Sequence, residues 1–497
     1  MIDLLALRNI ALRPWRSIFL LFGYSLGVAV MIVLLSIGEA LLAQARNERL
    51  VGGGEVTVLP EGIDVEVMKT GGLGGLFFSI DHARFIYEQL LAAPRLSAEI
   101  SAVAPQIEGK LLYARTTDGR EIPILANGEI PSRTLAVDAR TPLASGDWTD
   151  DALDRLWADP PPNELRHAID HFHLPPLEAR RDPTWAEWHY FNVLSPDRSR
   201  WVFISFIVAG EVPDGRWGGQ VLITTHEQGG ASRRFVASVP ATDVRFSTSR
   251  ADVEIGRARV SVLVDGRYAV TANAREEAGS GTIDVNLVVA PAPGAYFPGA
   301  ALSSGETVSG YVVPGLRADA SGTICVDKQC DAYNGAQSYH DHNWGVWRGV
   351  TWEWGAARAG AYTLLYGRVQ PADSAVASQP LFVYLVDSLG FRALFRPREI
   401  QYEDARTVRV GGRTLHVPSR ATMVDVRGDD TLRVELQIED ATATDTRHPE
   451  VERGDALAGR ELAKPFFVQM KGTMRIDGRV SGKPIRGDGA GFFETYR

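Results

Sequence analysis

From about residue 184 to its end the chain is written as short alternating strands, and no other feature constrains its fold as strongly. RWVFISFIVAG, GGQVLITTHE, RRFVASVP, GTIDVNLVVA, AYTLLYGRV, LFVYLVD, TLRVELQIED and FFVQMKGTMRIDGRV are separated by Gly, Asp and Pro turns. Apolar residues at every second position bury one face of a sheet and leave the other wet. Asp265-Gly266 and Asp477-Gly478 read as two-residue hairpin turns, whose central positions need positive φ. Helical periodicity is nearly absent. An all-β region of about 310 residues exceeds one eight-stranded barrel and suits two in tandem, dividing near 295–335. The expected fold class is mainly β: two tandem antiparallel β-barrels behind a small α+β domain and an N-terminal membrane helix.

That helix is expected from Ser17–Gly38, 22 residues without a charge. As a helix they would extend about 33 Å, against a hydrocarbon core of about 30 Å. The stretch outruns the apolar region of a cleaved signal peptide. Arg8, Arg13 and Arg16 precede it, and the charges of Glu39, Arg46, Glu48 and Arg49 after it nearly cancel. Positive-inside asymmetry then leaves the N-terminus in the cytoplasm and the bulk outside. The expected address is a bacterial inner membrane, crossed once, with periplasmic domains. The division read along the chain is 1–50 elbow and anchor, 51–146 small α+β domain, 147–183 linker, 184–330 and 331–497 two β-domains. Within the second of these, KLLYARTTDGREIPILA reads as a hairpin. A net charge of −9 argues against nucleic acid as a partner. GGLGGLFF lacks the strand–turn–helix context of a phosphate loop, so no cofactor is expected.

The densest chemistry lies in SYHDHNWGVWRGVTWEWGAA, residues 338–357. In an extended chain His340, His342 and Trp344 share one face, with Asp341 and Asn343 opposite. Trp352 and Trp354 share another, with Glu353 turned away. Aromatic walls with few polar groups suit a pocket mouth; the competing reading is a packed core. A metal is set aside. His340 and His342 lack a fixed third ligand, and His167, His171 and His173 fall in the linker, whereas zinc needs three or four converging donors. Cys325 and Cys330, the only cysteines, are expected to form a structural disulfide in an oxidising compartment.

Two resemblances follow from these residues. Arg8-Asn9 through Arg13-Pro14-Trp15-Arg16-Ser17, with the apolar run behind them, resemble the start of an FtsX-like (MacB-type) ABC-transporter permease over about residues 1–130. The later membrane helices of such a permease are missing. Glu187-Trp188-His189-Tyr190-Phe191-Asn192 and Tyr339-His340-Asp341-His342-Asn343-Trp344-Gly345 resemble the AttH-like family, which includes carotenoid 1,2-hydratases, over about 180–497. This second resemblance implies two lipocalin-like barrels and a hydrophobic lipid or isoprenoid ligand. Hydrating an isolated alkene needs a carboxylic acid kept neutral in an apolar site and aromatic faces beside the cation. The resemblance points to His342, Asp341 and Tyr366 for catalysis, and to His340, Trp344, Trp352, Trp354, Trp188 and Tyr190 for the wall. Where relatives carry an acid, Tyr366-Gly367-Arg368 here has an arginine. The reading preferred from sequence is therefore a membrane-anchored lipocalin-like binder of a hydrophobic molecule, accessory to an ABC exporter and its ATPase. The alternative is a carotenoid-hydratase-like or cyclase-like enzyme.

Overall fold

The computed structural model describes residues 99–137 except 118, 149–158, 170–175, 179–304 except 231, 307–346, 350–370, 380–445 except 411, and 466–497, with short stretches before residue 91. The chain divides into two compact units, residues 1–78 with 101–158, and residues 79–100 with 159–497.

The first unit contains an antiparallel hairpin of β1 (Gln106–Arg115) and β2 (Glu121–Glu129), as the sequence suggests. Two short helices follow, Pro131–Val137 and Ala152–Ala158. Residues 22–33 are helical, with Phe22, Tyr24, Leu26 and Val30 exposed. No helix among the described residues is long and apolar enough to cross a membrane. The ends of the expected anchor, most of the permease-like elbow and the GGLGG stretch lie outside the described residues.

In the second unit the alternating segments become strands. They are β3 (Trp185–Leu194), β4 (Arg200–Gly210), β5 (Trp217–Glu227), β6 (Arg233–Pro240), β7 (Val244–Phe246), β8 (Val253–Ile255), β9 (Ala258–Val262), β10 (Tyr268–Glu276), β11 (Thr282–Pro291), β12 (Phe297–Ser304), β13 (Thr307–Val326) and β14 (Gln329–Val346). Eight of them close a ring: β3, β4, β5, β6, β10, β11, β13 and β14, which pairs back onto β3. A barrel of this size is just wide enough for side chains to fill. Phe191, Ile204, Phe206, Phe235, Val270 and Leu287 do so here, all buried.

The second β-domain comprises β15 (Thr351–Ala359), β16 (Tyr362–Gln370), β17 (Phe382–Asp387), β18 (Gly390–Phe395), β19 (Gln401–Glu403), β20 (Arg406–Val410), β21 (Arg413–Val417), β22 (Arg420–Arg427), β23 (Asp430–Asp445), β24 (Phe466–Val480) and β25 (Lys483–Tyr496). Nine form one antiparallel sheet, order β18-β17-β16-β15-β25-β24-β23-β22-β19, and β20 pairs with β21 apart from it. Among the described strands this sheet stays open. The architecture is thus lipocalin-like and mainly antiparallel β, with one closed barrel and one open sheet rather than two closed barrels.

Three local readings change. Residue 330 falls near the tip of the β13–β14 hairpin, so the first β-domain runs on to Val346. Residues 170–175, read as linker, belong to the barrel: the Phe172 ring stacks on Phe246 at 3.8 Å. Asp477-Gly478 is not a turn. It lies inside β24, where a Cβ on Gly478 would come within 2.1 Å of the Thr431 carbonyl, and the chain reverses at Ser481-Gly482 instead. Close approach explains that glycine, and positive φ explains the next.

The outer face of the barrel packs on the open sheet. Tyr190, Phe203, Tyr311 and Tyr339 from the barrel meet Trp354, Phe382, Tyr384 and Phe492. Strands β3 and β14 are therefore buried on both faces, which explains their run of apolar, aromatic and histidine residues. Cys325 and Cys330 form a disulfide across the β13–β14 hairpin.

Candidate functional site: two faces of one strand pair

Alternation along β14 separates the motif into two environments. His340, His342 and Trp344 point into the barrel beside Phe191, His189 and Glu187, their partners on β3. Tyr339 and Asp341 point outward with Asn192 and Tyr190, onto the seam between the β-domains.

Inside the barrel lies a cluster of charged and imidazole groups with almost no solvent contact. Asp170, from the segment before β3, has one oxygen 2.8 Å from His342 Nδ1 and the other 3.2 Å from His340 Nε2. The Tyr268 hydroxyl donates to it at 2.5 Å. Glu187 stands 2.7 Å from His342 Nε2 and 3.1 Å from His173 Nδ1, and it accepts the His173 backbone N–H at 2.8 Å. Burial opposes charging His342, but a carboxylate on each ring nitrogen outweighs it and raises the imidazole to about 9. Burial would likewise raise Asp170; the imidazoles around it, His340 first, hold it well below the usual carboxylate range. His189 is fully buried and its pKa is pushed well down by desolvation, then by neighbouring His342.

Trp344 forms the rim of this cluster, its indole stacked on His173 at 3.6 Å. The ring lies across Gly310 of β13, where a Cβ would meet it at 2.3 Å. Gly310→Ala is therefore expected to push Trp344 off His173 and destabilise the chain by about 1–3 kcal/mol, the usual cost of overpacking. Urea denaturation checks this, with an unchanged midpoint as the contrary result.

The seam holds a second polar group among aromatics. Glu494 of β25 accepts from Tyr190 Oη at 3.1 Å and Trp352 Nε1 at 3.0 Å, with Gln469 Nε2 at 3.5 Å. Burial raises its pKa above the ordinary carboxyl value despite those donors. Asp341 is pushed up to about 7 by burial, with the Glu494 charge adding, and accepts from Asn343 Nδ2 at 2.7 Å. Trp354 Nε1 donates to the Tyr339 hydroxyl at 2.8 Å.

The residues picked from sequence therefore separate. His340, His342 and Trp344 sit inside the barrel; Tyr190, Asp341, Trp352 and Trp354 line the seam, with Trp188 packed against it. Tyr366 goes elsewhere, into the core of the open sheet, stacked on Phe493. Arg368, two residues along on the same strand, pairs with Glu353. His342, Asp341 and Tyr366 cannot act as one catalytic trio, because period-2 alternation and a different sheet keep them apart. Four residues were missed. Glu187 and His189 share a face of β3 with Phe191, which alternation within EWHYFN would have exposed. Asp170 and Glu494 had no such signal: one lies in a presumed linker and the other at the far end of the chain.

No protein-family model matches the chain, and no curated protein does. Among solved structures, an AttH protein from Nitrosomonas europaea aligns with 63% of this chain and 93% of its own, at 16% identity and a TM-score of 0.43. Kievitone hydratase from Nectria haematococca aligns with 66% of this chain and 94% of its own, at 13% identity and TM-score 0.39. CghA, solved with Sch210972, aligns with the same shares at 16% identity and TM-score 0.37. None of these TM-scores exceeds 0.43, and the chemistry has to be argued from the geometry. The permease resemblance of residues 1–130 gains no support from them.

Proposed function

We propose that the chain is a hydratase-like acid catalyst for an unsaturated hydrophobic molecule, working at the seam between its two β-domains with Glu494 as proton donor. The observation that carries this reading is a buried carboxyl group set among Tyr190 and Trp352, with Trp354, Tyr339 and Phe492 beside it. Desolvation favours the neutral form of such an acid, the form that can protonate an alkene. The proton passes from Glu494 to one alkene carbon, and the aromatic faces stabilise the carbocation at the other. Water adds there, and its proton returns to the carboxylate, so the cycle is redox-neutral and the enzyme is restored. The cleft on the seam, lined by Leu194, Trp201, Tyr339, Lys471 and Phe492, is about 10 Å³, room for about one water. Substrate entry therefore requires the two β-domains to part.

The test is incubation of the full chain with acyclic isoprenoid alkenes in water enriched in oxygen-18. A tertiary alcohol carrying the label is expected. Unlabelled product, or no product from folded protein across such alkenes, overturns the reading. The exposed apolar side chains of the helix at 22–33 support a lipid-embedded start to the same chain. Membranes washed in alkaline carbonate are expected to retain it; release into the wash would remove the anchor from the proposal.

A further inference from the structure

The cluster inside the barrel lies on the face of β14 opposite the proposed acid, and hydration has no use for it. We propose that Asp170, His189 and His340 form a binding site for a divalent first-row transition-metal ion of the Fe2+ or Zn2+ type. The donor atoms of these three residues lie within 4.8 Å of one another, and all three side chains are buried.

Three observations point to a cation there. First, His189 Nδ1 is buried with no hydrogen-bond partner among the described residues, and the nearest carboxylate oxygen, on Asp170, is 3.6 Å away. An orphaned buried nitrogen costs about 1–3 kcal/mol and calls for an ion or water to explain it. Second, the tautomer of His340 is dictated by its surroundings. Its Nδ1 faces the Tyr190 carbonyl at 3.0 Å, which can only accept, so Nδ1 carries the hydrogen. Its Nε2 therefore points at the Asp170 carboxylate 3.2 Å away, so both groups are directed at the same space. Third, the outer partners of a metal site are already in place. The His340 ring is held through its other nitrogen by a backbone carbonyl, and Asp170 is oriented by the Tyr268 hydroxyl.

The spacing also fits. Metal–ligand bonds of about 2.0–2.2 Å put tetrahedral donors roughly 3.3 Å apart; one Asp170 oxygen lies 3.6 Å from His189 Nδ1 and the other 3.2 Å from His340 Nε2. Two imidazoles and one carboxylate suit iron or zinc and exclude calcium and magnesium, which take oxygen ligands. His342, with Nδ1 2.8 Å from Asp170, stands next to the site. His173, Glu187 and His342 form a second group of similar donors, but there the His173 backbone N–H and both His342 nitrogens already serve the carboxylates. Among the described residues no buried nitrogen of that group lacks a partner, so the first group is the one left open to a cation.

The experiment titrates Co2+ into the full chain after chelator treatment, reading the visible ligand-field bands and the thermal midpoint. Equimolar binding is expected, with tetrahedral-type bands and a raised midpoint. His189→Gln and His340→Gln are expected to weaken binding at least about tenfold, with circular dichroism confirming that each variant is folded. His173→Gln is expected to leave the bands intact. Absence of Co2+ binding, bands unchanged in His189→Gln, or bands lost equally in His173→Gln would each overturn the assignment.

Discussion

Replacing Asp170 by alanine is expected to destabilise the protein by about 3–5 kcal/mol, the usual consequence of leaving a buried charged network with one partner removed. Asp170 is fully buried and joins four side chains: His340, His342, Tyr268 and, at longer range, His189. Without it the Tyr268 hydroxyl and His342 Nδ1 lose their acceptor together, in a place water does not reach. Asp170→Asn is expected to fall between wild type and alanine. An amide keeps one acceptor oxygen but turns an N–H toward atoms that themselves want to donate. Denaturation in urea, with the slope compared as well as the midpoint, measures both variants. A loss under about 1 kcal/mol for alanine, at unchanged slope, would show that the cluster contributes little to holding β3 and β14 together.

The second large effect concerns Glu494. Glu494→Gln keeps the shape and the contacts with Tyr190 and Trp352 but has no proton to give, so hydration is expected to fall about 10²–10⁴-fold, the usual worth of a general acid. The pH profile supplies a readout that a structural role would not move. The acid works protonated, so the rate is expected to be flat at low pH and to fall as pH rises through the folded pKa of Glu494, which burial places above the ordinary carboxyl value. Tyr190 of β3, Trp352 of β15 and Gln469 of β24 donate to it, Asp341 of β14 repels its charge, and Tyr496 neighbours it on β25. The three donors favour the ionised form. Tyr190→Phe therefore removes a lowering influence, and the alkaline limb is expected to move to higher pH. A limb that stays put or moves down would separate Glu494 from the rate. Linkage has the same sign: a carboxyl raised by folding withdraws stability as pH climbs from its unfolded to its folded pKa.

Much of this was legible from residues alone, for a physical reason. A strand has a period of two, so the heptapeptide from Tyr339 to Gly345 announced its own two faces, and the structure distributes His340, His342 and Trp344 against Tyr339 and Asp341 as that period requires. What alternation does not give is the third dimension. Whether Tyr366 meets His342 depends on which sheet β16 joins, and that is settled by long-range pairing with β15 and β17. Asp170 was hidden for the opposite reason: it sits in no strand, within a proline-rich segment that looked like a connection, and only burial of Phe172 against the barrel brings it inward. The failure of Asp477-Gly478 as a turn has a similar origin, since a glycine demanded by close strand approach is indistinguishable by letter from one demanded by positive φ.

The cystine at the tip of the β13–β14 hairpin has a consequence for how this chain can vary. Cys325 lies directly opposite Cys330, so the bridge pins the pairing of β13 and β14 at the hairpin tip; three register shifts follow along β13, while β14 pairs with β3 from Gln337 to Val346 without one. A slip of one position would exchange inside and outside, driving Asp341 among the histidines and the histidines onto the seam. A single residue inserted between Ser338 and Trp344, where β14 pairs with β3 without a shift, would therefore disturb both environments at once, whereas a pair of residues added together would preserve the parity of the faces.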